Sequence, residues 1–264
     1  SGTSPAGLAI SISGSDANII RNVTATNRGY AVVLKDASNN LIENNNFSGS
    51  TQGVRMALAS GENTIQSNNL SATGLGILDY HGTGSNNRFL TNDISNSGTA
   101  ITLDGNDNPF IVAGNIFDGS NRGLNLRDFS DVTLSPSLAT FDVDLSGTSY
   151  AIVLSNATNV VLENFDLSGL TATSGDFGRA IQASGTNVTI RNIVGRDRYF
   201  GVYGIDLHNS LIVDSDFSWT DPNSTIGARY GEGVDLSGAT GNLVEGITAT
   251  NRKIGIRISH SDDN

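Results

Sequence analysis

The sequence predicts an all-β solenoid, because three patterns return about every 23 residues. In the first, an asparagine stands two residues before an apolar residue, at spacings of 23, 24 and 23: Asn45, Asn68, Asn92 and Asn115. A second asparagine series runs beside it at spacings of 22, 23 and 24: Asn18, Asn40, Asn63 and Asn87. In the third, a glycine or alanine opens a run of alternating apolar residues, as Gly53 does before Val54.

Each repeat fits one rung of a parallel β-helix. A rung of this length holds two or three short strands joined by Asn- and Gly-rich turns, and rungs stack at roughly 4.8 Å. Equivalent asparagine side chains then lie above one another and can form a ladder of amide hydrogen bonds. No long stretch keeps a helical period, and a β-propeller would need repeats of about 40 residues. We therefore predict a right-handed parallel β-helix of about eleven rungs.

Alternation along a strand predicts which side chains face the core. Those expected to point inward are Ile101, Leu103, Leu124, Leu126, Val234 and Leu236. Those expected to point outward are Thr102, Asn125 and Asp235. The later asparagines are spaced by 28, 22 and 33 residues, which predicts insertions between strands: Asn159, Asn187, Asn209 and Asn242.

The composition is that of an acidic solenoid without cysteine. Of the 264 residues, 37% are hydrophobic and 16% are charged, which is enough for a continuous apolar core. The net charge of −11 disfavours nucleic acid and anionic membranes, and no run of 18 apolar residues could span a bilayer. Disulfide and thiol chemistry are excluded. We expect residues 1–264 to form a single β-helix domain, a segment of a longer protein that is secreted or displayed on a bacterial cell.

One segment carries a resemblance to a known family. The run Ile77-Leu78-Asp79-Tyr80-His81 is followed one repeat later by Asp104, and another repeat later by Asn121-Arg122-Gly123. The overall repeat resembles right-handed β-helix proteins of the carbohydrate-binding and sugar-hydrolase type, and this segment is similar to the catalytic module of mannuronan C5-epimerases. In that family a Tyr-Gly-Phe-Asp-Pro-His segment supplies Tyr, Asp and His, and the next rungs add an Asp and an Arg. Here Gly76 replaces the Tyr and Tyr80 replaces the Pro.

The resemblance implies a chemistry for these residues. Epimerisation or β-elimination of a uronate needs its carboxylate neutralised, a base for the C5 proton, and an acid. The predicted catalytic residues are Asp79, Tyr80, His81 and Asp104, with Asp79 and Asp104 facing each other across one rung at roughly 5 Å. The predicted substrate-binding residues are Arg55, Arg122, Asn125 and Arg127. The alternative is that these are solvated turn residues with no role in catalysis.

A calcium site is predicted in one loop. The run Asp104-Gly105-Asn106-Asp107-Asn108 places four oxygen-bearing side chains within five residues, which suits a hard cation. The predicted ligands are Asp104, Asn106, Asp107 and Asn108. The loop is not an EF-hand, because the downstream bidentate glutamate is missing. No other cofactor is expected.

Two functions remain open on the sequence. The first is an extracellular module that binds an acidic polysaccharide and also epimerises or cleaves it; whether it is an enzyme is left open. The second is a non-catalytic stalk, spacer or stacking element whose partners are neighbouring β-helix domains. Aromatic residues near the insertions, at Tyr199-Phe200 and at Trp219, either stack on sugar rings or cap the core.

Overall fold

The computed structural model describes residues 7–80, 86–105, 110–136, 141–169, 178–222 and 231–264. Every regular element in these ranges is a β-strand, and the strands pair in parallel. The chain divides into two compact units, the first formed by Ser1–Asn125 with Ala139–Asp144 and the second by Leu126–Leu138 with Leu145–Asn264. A single domain over residues 1–264 stays a prediction.

The first unit repeats one long and one short strand per rung. Its long strands lie side by side in chain order: β1 (Leu8–Ser13), β3 (Tyr30–Lys35), β5 (Gln52–Ala57), β7 (Leu75–Tyr80), β9 (Thr99–Asp104) and β11 (Arg122–Arg127), whose last two residues fall in the second unit. A second sheet holds the short strands: β2 (Ile19–Arg21), β4 (Leu41–Glu43), β6 (Thr64–Gln66), β8 (Arg88–Leu90), β10 (Ile111–Asn115) and β13 (Phe141–Val143). Single parallel bridges, such as Asn46 with Asn69, close a third side of the coil.

The second unit follows the same plan. Its long strands, again in chain order, are β14 (Tyr150–Thr158), β16 (Arg179–Thr186), β18 (Phe200–His208), β20 (Glu232–Ser237) and β22 (Ile254–Ser259). Its short strands are β12 (Thr133–Leu134), β15 (Val161–Glu163), β17 (Thr189–Arg191), β19 (Leu211–Val213) and β21 (Leu243–Glu245). The described residues thus contain eleven long strands, one per rung, which confirms the predicted parallel β-helix.

The core follows the predicted alternation. All six residues expected to point inward are fully buried: Ile101, Leu103, Leu124, Leu126, Val234 and Leu236. Thr102 and Asp235 occupy the alternate positions, yet only 3% and 6% of their surfaces are exposed. The outward face of the long strands is therefore partly covered at these two positions.

The predicted amide ladder is present in the first unit. Asn45 Nδ2 donates to Asn68 Oδ1 at 2.9 Å, and the same contact recurs from Asn68 to Asn92 and from Asn92 to Asn115 at 3.0 Å. All four side chains are buried. In the second unit, Asn187 Nδ2 donates to Asn159 Oδ1 at 3.1 Å, but this pair precedes its short strands and is exposed, so it does not continue the buried ladder.

A column of small residues explains the third sequence pattern. Gly53, Gly76 and Ala100 directly precede the inward-facing residues of successive strands, where two consecutive positions of the strand turn toward the core. A Cβ atom on Gly76 would lie 2.2 Å from Ile94 Cγ2 and 2.5 Å from the carbonyl oxygen of Ala100. The close approach of neighbouring rungs therefore requires glycine there.

A buried arginine ties rungs together inside the second unit. Arg198 has no exposed surface, and its guanidinium donates to the carbonyl oxygens of Leu145 and Leu167 at 2.8 and 2.7 Å and also to that of Thr148. Burial lowers the pKa of Arg198 to about 10. Because its hydrogen bonds reach residues about 30 and 50 positions upstream, this side chain connects rungs that are distant in sequence.

Candidate functional site

A groove lies on the outward face of the long strands of the first unit. It encloses about 770 Å³ and crosses four successive strands, β1, β3, β5 and β7. At the strand spacing of about 4.8 Å it extends roughly 14 Å along the coil. Its lining includes Tyr30, Val33, Lys35, Arg55, Ala57 and Tyr80. The described lining residues are mostly apolar and include no acidic side chain.

Parallel register brings these side chains together. Val33 pairs with Arg55, and Lys35 pairs with Ala57, which in turn pairs with Tyr80. Tyr30, the first residue of β3, also has its side chain on the outward face and lines the groove. The outward residues at the first, fourth and sixth positions of neighbouring strands thus form one continuous surface.

Arg55 lies between two tyrosines. Its guanidinium carbon is 6.0 Å from the ring centroid of Tyr30 and 5.5 Å from that of Tyr80, within cation–π range. Among the described residues Arg55 forms no ion pair, although the chain carries 26 acidic residues. Within the described residues its positive charge therefore has no carboxylate partner.

The groove combines two kinds of recognition. Tyrosine rings offer flat apolar faces that match the faces of sugar rings. A guanidinium binds a carboxylate through two parallel hydrogen bonds, and the exposed Lys35 adds a second cation near the end of the groove. An anionic carbohydrate satisfies both.

Of the residues predicted from the sequence, the structure brings Arg55 and Tyr80 together in this groove. Tyr30 and Lys35 were missed. A sequence signal existed for Lys35, because alternation from the inward-facing Val32 and Leu34 places Val33 and Lys35 outward. The same alternation would turn Tyr30 inward, so its outward position at the start of β3 is known only from the structure.

The prediction that Asp79 faces Asp104 is wrong. Asp79 pairs with Met56 and Leu103, both of which point into the core, and only 2% of its surface is exposed. Its Oδ2 accepts a hydrogen bond from Asn87 Nδ2 at 2.9 Å. Asp104 follows Leu103 and therefore stands on the opposite side of its strand. Asp79 is part of the internal polar network and does not reach the groove.

The other predicted residues do not line the groove. Asp104 is buried at the end of β9, and Arg122 begins β11. Asn125 Nδ2 donates to Thr102 Oγ1 at 3.4 Å. Arg127, the last residue of β11, falls in the second unit. His81 lies outside the described residues.

Most of the predicted calcium ligands cannot be compared with the structure. Of its four ligands, Asn106, Asp107 and Asn108 lie outside the described residues, and only Asp104 is seen. Within the described ranges no three His, Cys, Asp or Glu side chains converge on one point. Calcium binding stays a prediction.

A comparison with protein-family models supports the assignment of the fold. Residues 3–117 match the family model of a right-handed β-helix region. Together with the parallel strand order, this match shows that the fold is a right-handed parallel β-helix, as predicted. No curated protein sequence matches the chain.

Two solved structures show distant likeness. One is the Dettilon tailspike protein, at 12% identity and a TM-score of 0.45, with 92% of this chain and 55% of that chain covered. The other is PfbA, a surface adhesin of Streptococcus pneumoniae, at 10% identity and a TM-score of 0.25, with 88% and 63% covered. This chain therefore spans less than two thirds of the length of either protein.

The described residues contain no helix of the length and apolarity needed to cross a membrane.

Proposed function

We propose that the protein is a β-helix module that binds an acidic polysaccharide in the groove of its first unit. The observation that carries this proposal is Arg55, which lies between Tyr30 and Tyr80 without an ion pair in the described protein. The chain has a net charge of −11, yet within the described residues Arg55 contacts tyrosine rings and no carboxylate. Its guanidinium is therefore available to bind an anionic ligand.

The ligand's contacts follow from the groove. A sugar carboxylate pairs with the Arg55 guanidinium, and neighbouring sugar rings stack on Tyr30 and Tyr80. Lys35 meets a second acidic group further along the chain of sugars. Because the groove crosses four rungs, its ligand is an oligosaccharide segment and not a single sugar. A polysaccharide of this kind is met outside the cell, which supports a secreted or surface location.

The geometry favours binding without turnover. Asp79 is turned into the core, so Tyr80 is the one residue of the predicted catalytic group that lines the groove within the described chain. Proton abstraction at C5 needs a base within hydrogen-bond reach of the substrate. The proposed module therefore holds the polysaccharide, and epimerisation or cleavage is the outcome that would change this assignment.

Binding is tested by calorimetry with an oligomannuronate, an oligogalacturonate and a neutral mannan oligosaccharide. Arg55→Met removes one charge-assisted contact, worth about 1.5–3 kcal/mol, so the affinity for uronates should fall roughly 10- to 100-fold. Arg122→Met, an exposed arginine outside the groove, should change it less than about twofold. Unchanged binding by Arg55→Met, or equal affinity for the neutral sugar, would reject the groove as an acidic-glycan site.

Turnover is tested on the same samples. Proton NMR of the uronate reports C5 configuration, and ultraviolet absorbance reports unsaturated ends. We expect neither signal to change over a day of incubation with the protein, with or without calcium. Turnover that Arg55→Met abolishes would make the same groove an active site.

A further inference from the structure

The second unit carries a separate cluster of aromatic rings around one arginine. The guanidinium carbon of Arg179 lies 4.2 Å from the ring centroid of Tyr203, 5.1 Å from that of Tyr150 and 5.4 Å from that of Phe200. Phe200 and Tyr203 also contact each other, with centroids 5.2 Å apart. All four side chains are partly exposed, so the cluster belongs to the surface and not to the core.

Strand register builds this cluster as it builds the first groove. Tyr150, Arg179 and Phe200 are aligned at the first position of three successive long strands. Gln182 and Tyr203 are aligned at the next outward position. All five side chains therefore lie on the outward face of the long strands in the second unit.

Arg179 has no acidic partner among the described residues. Its Nη1 donates to Gln182 Oε1, and its buried Nε donates to no protein acceptor. Other arginines of the same unit do pair with carboxylates, as Arg191 does with Glu163 at 2.5 Å and Arg257 with Glu232 at 2.6 Å. The guanidinium of Arg179 therefore lies against aromatic rings and has no carboxylate partner within the described ranges.

Another arginine of this unit, Arg252, also lies against an aromatic ring, but it has a structural role. Arg252 lies 5.6 Å from the Trp219 ring centroid, and its guanidinium donates to the carbonyl oxygens of Phe217, Arg198 and Tyr199. Trp219 is 3% exposed, so it caps the core, in agreement with one of the two sequence-based alternatives. Within the described residues the Arg179 side chain donates to no backbone carbonyl, which separates it from a core-capping arginine.

Acidic residues limit where a ligand can lie on this face. Glu232 pairs with Phe200 and Asp235 pairs with Tyr203, on the strand that lies two strands beyond Arg179. Arg257 neutralises part of their charge through contacts of 2.6 and 4.0 Å. An anion is therefore favoured on the side of Tyr150 and Arg179 and disfavoured on the side of Glu232.

We propose that Arg179 and the rings of Tyr150, Phe200 and Tyr203 form a second binding site for an acidic sugar, on the second unit. A uronate carboxylate pairs with the guanidinium, while the sugar ring stacks on the exposed part of an aromatic face. This site shares the ligand class of the proposed function but stands on different residues, so either site can fail without the other.

The first test is stoichiometry with a uronate trisaccharide, measured by calorimetry on the whole chain. We expect two strong sites per chain for the native protein, one for Arg55→Met, one for Arg179→Met and none for the double variant, each altered site binding roughly 10- to 100-fold less tightly. Arg191→Met, an arginine of the same unit paired with Glu163, is the matched control and should retain two. Thermal melting of each variant separates lost binding from lost folding.

Further variants and ligands sharpen the result. Tyr203→Leu keeps apolar bulk but removes the nearest ring, and should weaken the second site at least threefold. Arg179→Lys keeps the charge and loses the planar fork, so it should bind more weakly than the native protein and more tightly than Arg179→Met. A sulfated trisaccharide distinguishes a carboxylate site from a general anion site; equal affinity would assign the site to anionic sugars of either kind.

The outcomes are separable. One site per chain that Arg55→Met removes and Arg179→Met leaves intact would overturn this second site while the first stands. One site that only Arg179→Met removes would overturn the groove proposal and keep this one. Binding that neither variant alters would overturn both.

Discussion

Replacing Asn68 by alanine should remove the central contact of the buried amide ladder. The side chain is 1% exposed and makes four hydrogen bonds: its Oδ1 accepts from the backbone nitrogen and Nδ2 of Asn45, and its Nδ2 donates to the Ile42 carbonyl and to Asn92 Oδ1. Asn92 Oδ1 keeps a second donor, the backbone nitrogen of residue 68. Asn45 Nδ2 likewise keeps the Ile20 carbonyl, so the substitution leaves two buried groups without these partners, the backbone nitrogen of Asn45 and the carbonyl of Ile42.

The magnitude follows from those two groups and from the two side-chain contacts to Asn45 and Asn92 that are lost. An unsatisfied buried donor or acceptor costs about 1–3 kcal/mol, and relaxation of neighbouring side chains recovers part of the sum. We expect Asn68→Ala to lower the free energy of unfolding by about 4 kcal/mol. Since whole proteins are stable by about 5–15 kcal/mol, this loss is a large fraction of the total.

Urea denaturation followed by far-ultraviolet circular dichroism measures the loss. Gln66→Ala is the matched control on the same rung, because Gln66 donates a half-buried hydrogen bond of 2.9 Å to Glu43. That variant should lose less than about 1 kcal/mol. If Asn68→Ala were no less stable than Gln66→Ala, the ladder would contribute nothing beyond ordinary surface hydrogen bonds, and the reasoning would be refuted.

Three further perturbations follow from the fold. Arg198→Met should lower the free energy of unfolding by about 3 kcal/mol or more in urea denaturation, because buried carbonyl oxygens lose their donor. Gly76→Ala should lower the melting temperature by several degrees, because its Cβ would overlap Ile94 and the facing backbone. Desolvation, and then the charge of Asp235, raise the pKa of Glu232 to about 7 from its usual 4.5. The folded state thus binds this proton more tightly than the unfolded state, so the contribution of Glu232 to stability is full below about pH 4.5 and is lost as the pH rises through 7; Glu232→Gln should remove this part of the pH dependence.

Each of these has a control within the chain. Arg191→Met breaks an exposed ion pair and should cost less than about 1 kcal/mol. Gly255→Ala adds a Cβ whose nearest neighbour is 4.0 Å away, so its melting temperature should stay within about two degrees of the native value. Glu245→Gln, at an exposed carboxylate, should leave the pH dependence unchanged. A control that matched its test variant would contradict the corresponding prediction.

Only part of the candidate site in the groove could be predicted from the sequence. Arg55 and Tyr80 were identified, but through a resemblance to an epimerase motif whose Asp79 points into the core and not into the groove. The alternation rule that places Ile77 inward also places Asp79 inward, two positions on, so the strand pattern already contained the correct orientation. The pattern is hard to read here because Ile77 and Leu78 are consecutive apolar residues, so either could be taken as the inward one. The motif resemblance predicted instead that Asp79 faces the substrate.

The sequence by itself determined the fold, because a period near 23 residues is local information repeated many times. Every copy of the Asn-x-apolar and Gly/Ala patterns predicts the same strands, turns and inward side chains, and the copies agree. Only the tertiary structure decided the sites. Whether Tyr30 meets Arg55, or Arg179 meets Tyr203, depends on the register between rungs, and insertions of different length change the sequence distance between facing residues. The position of Arg198, whose partners lie about 30 and 50 residues upstream, follows from packing that no single repeat encodes.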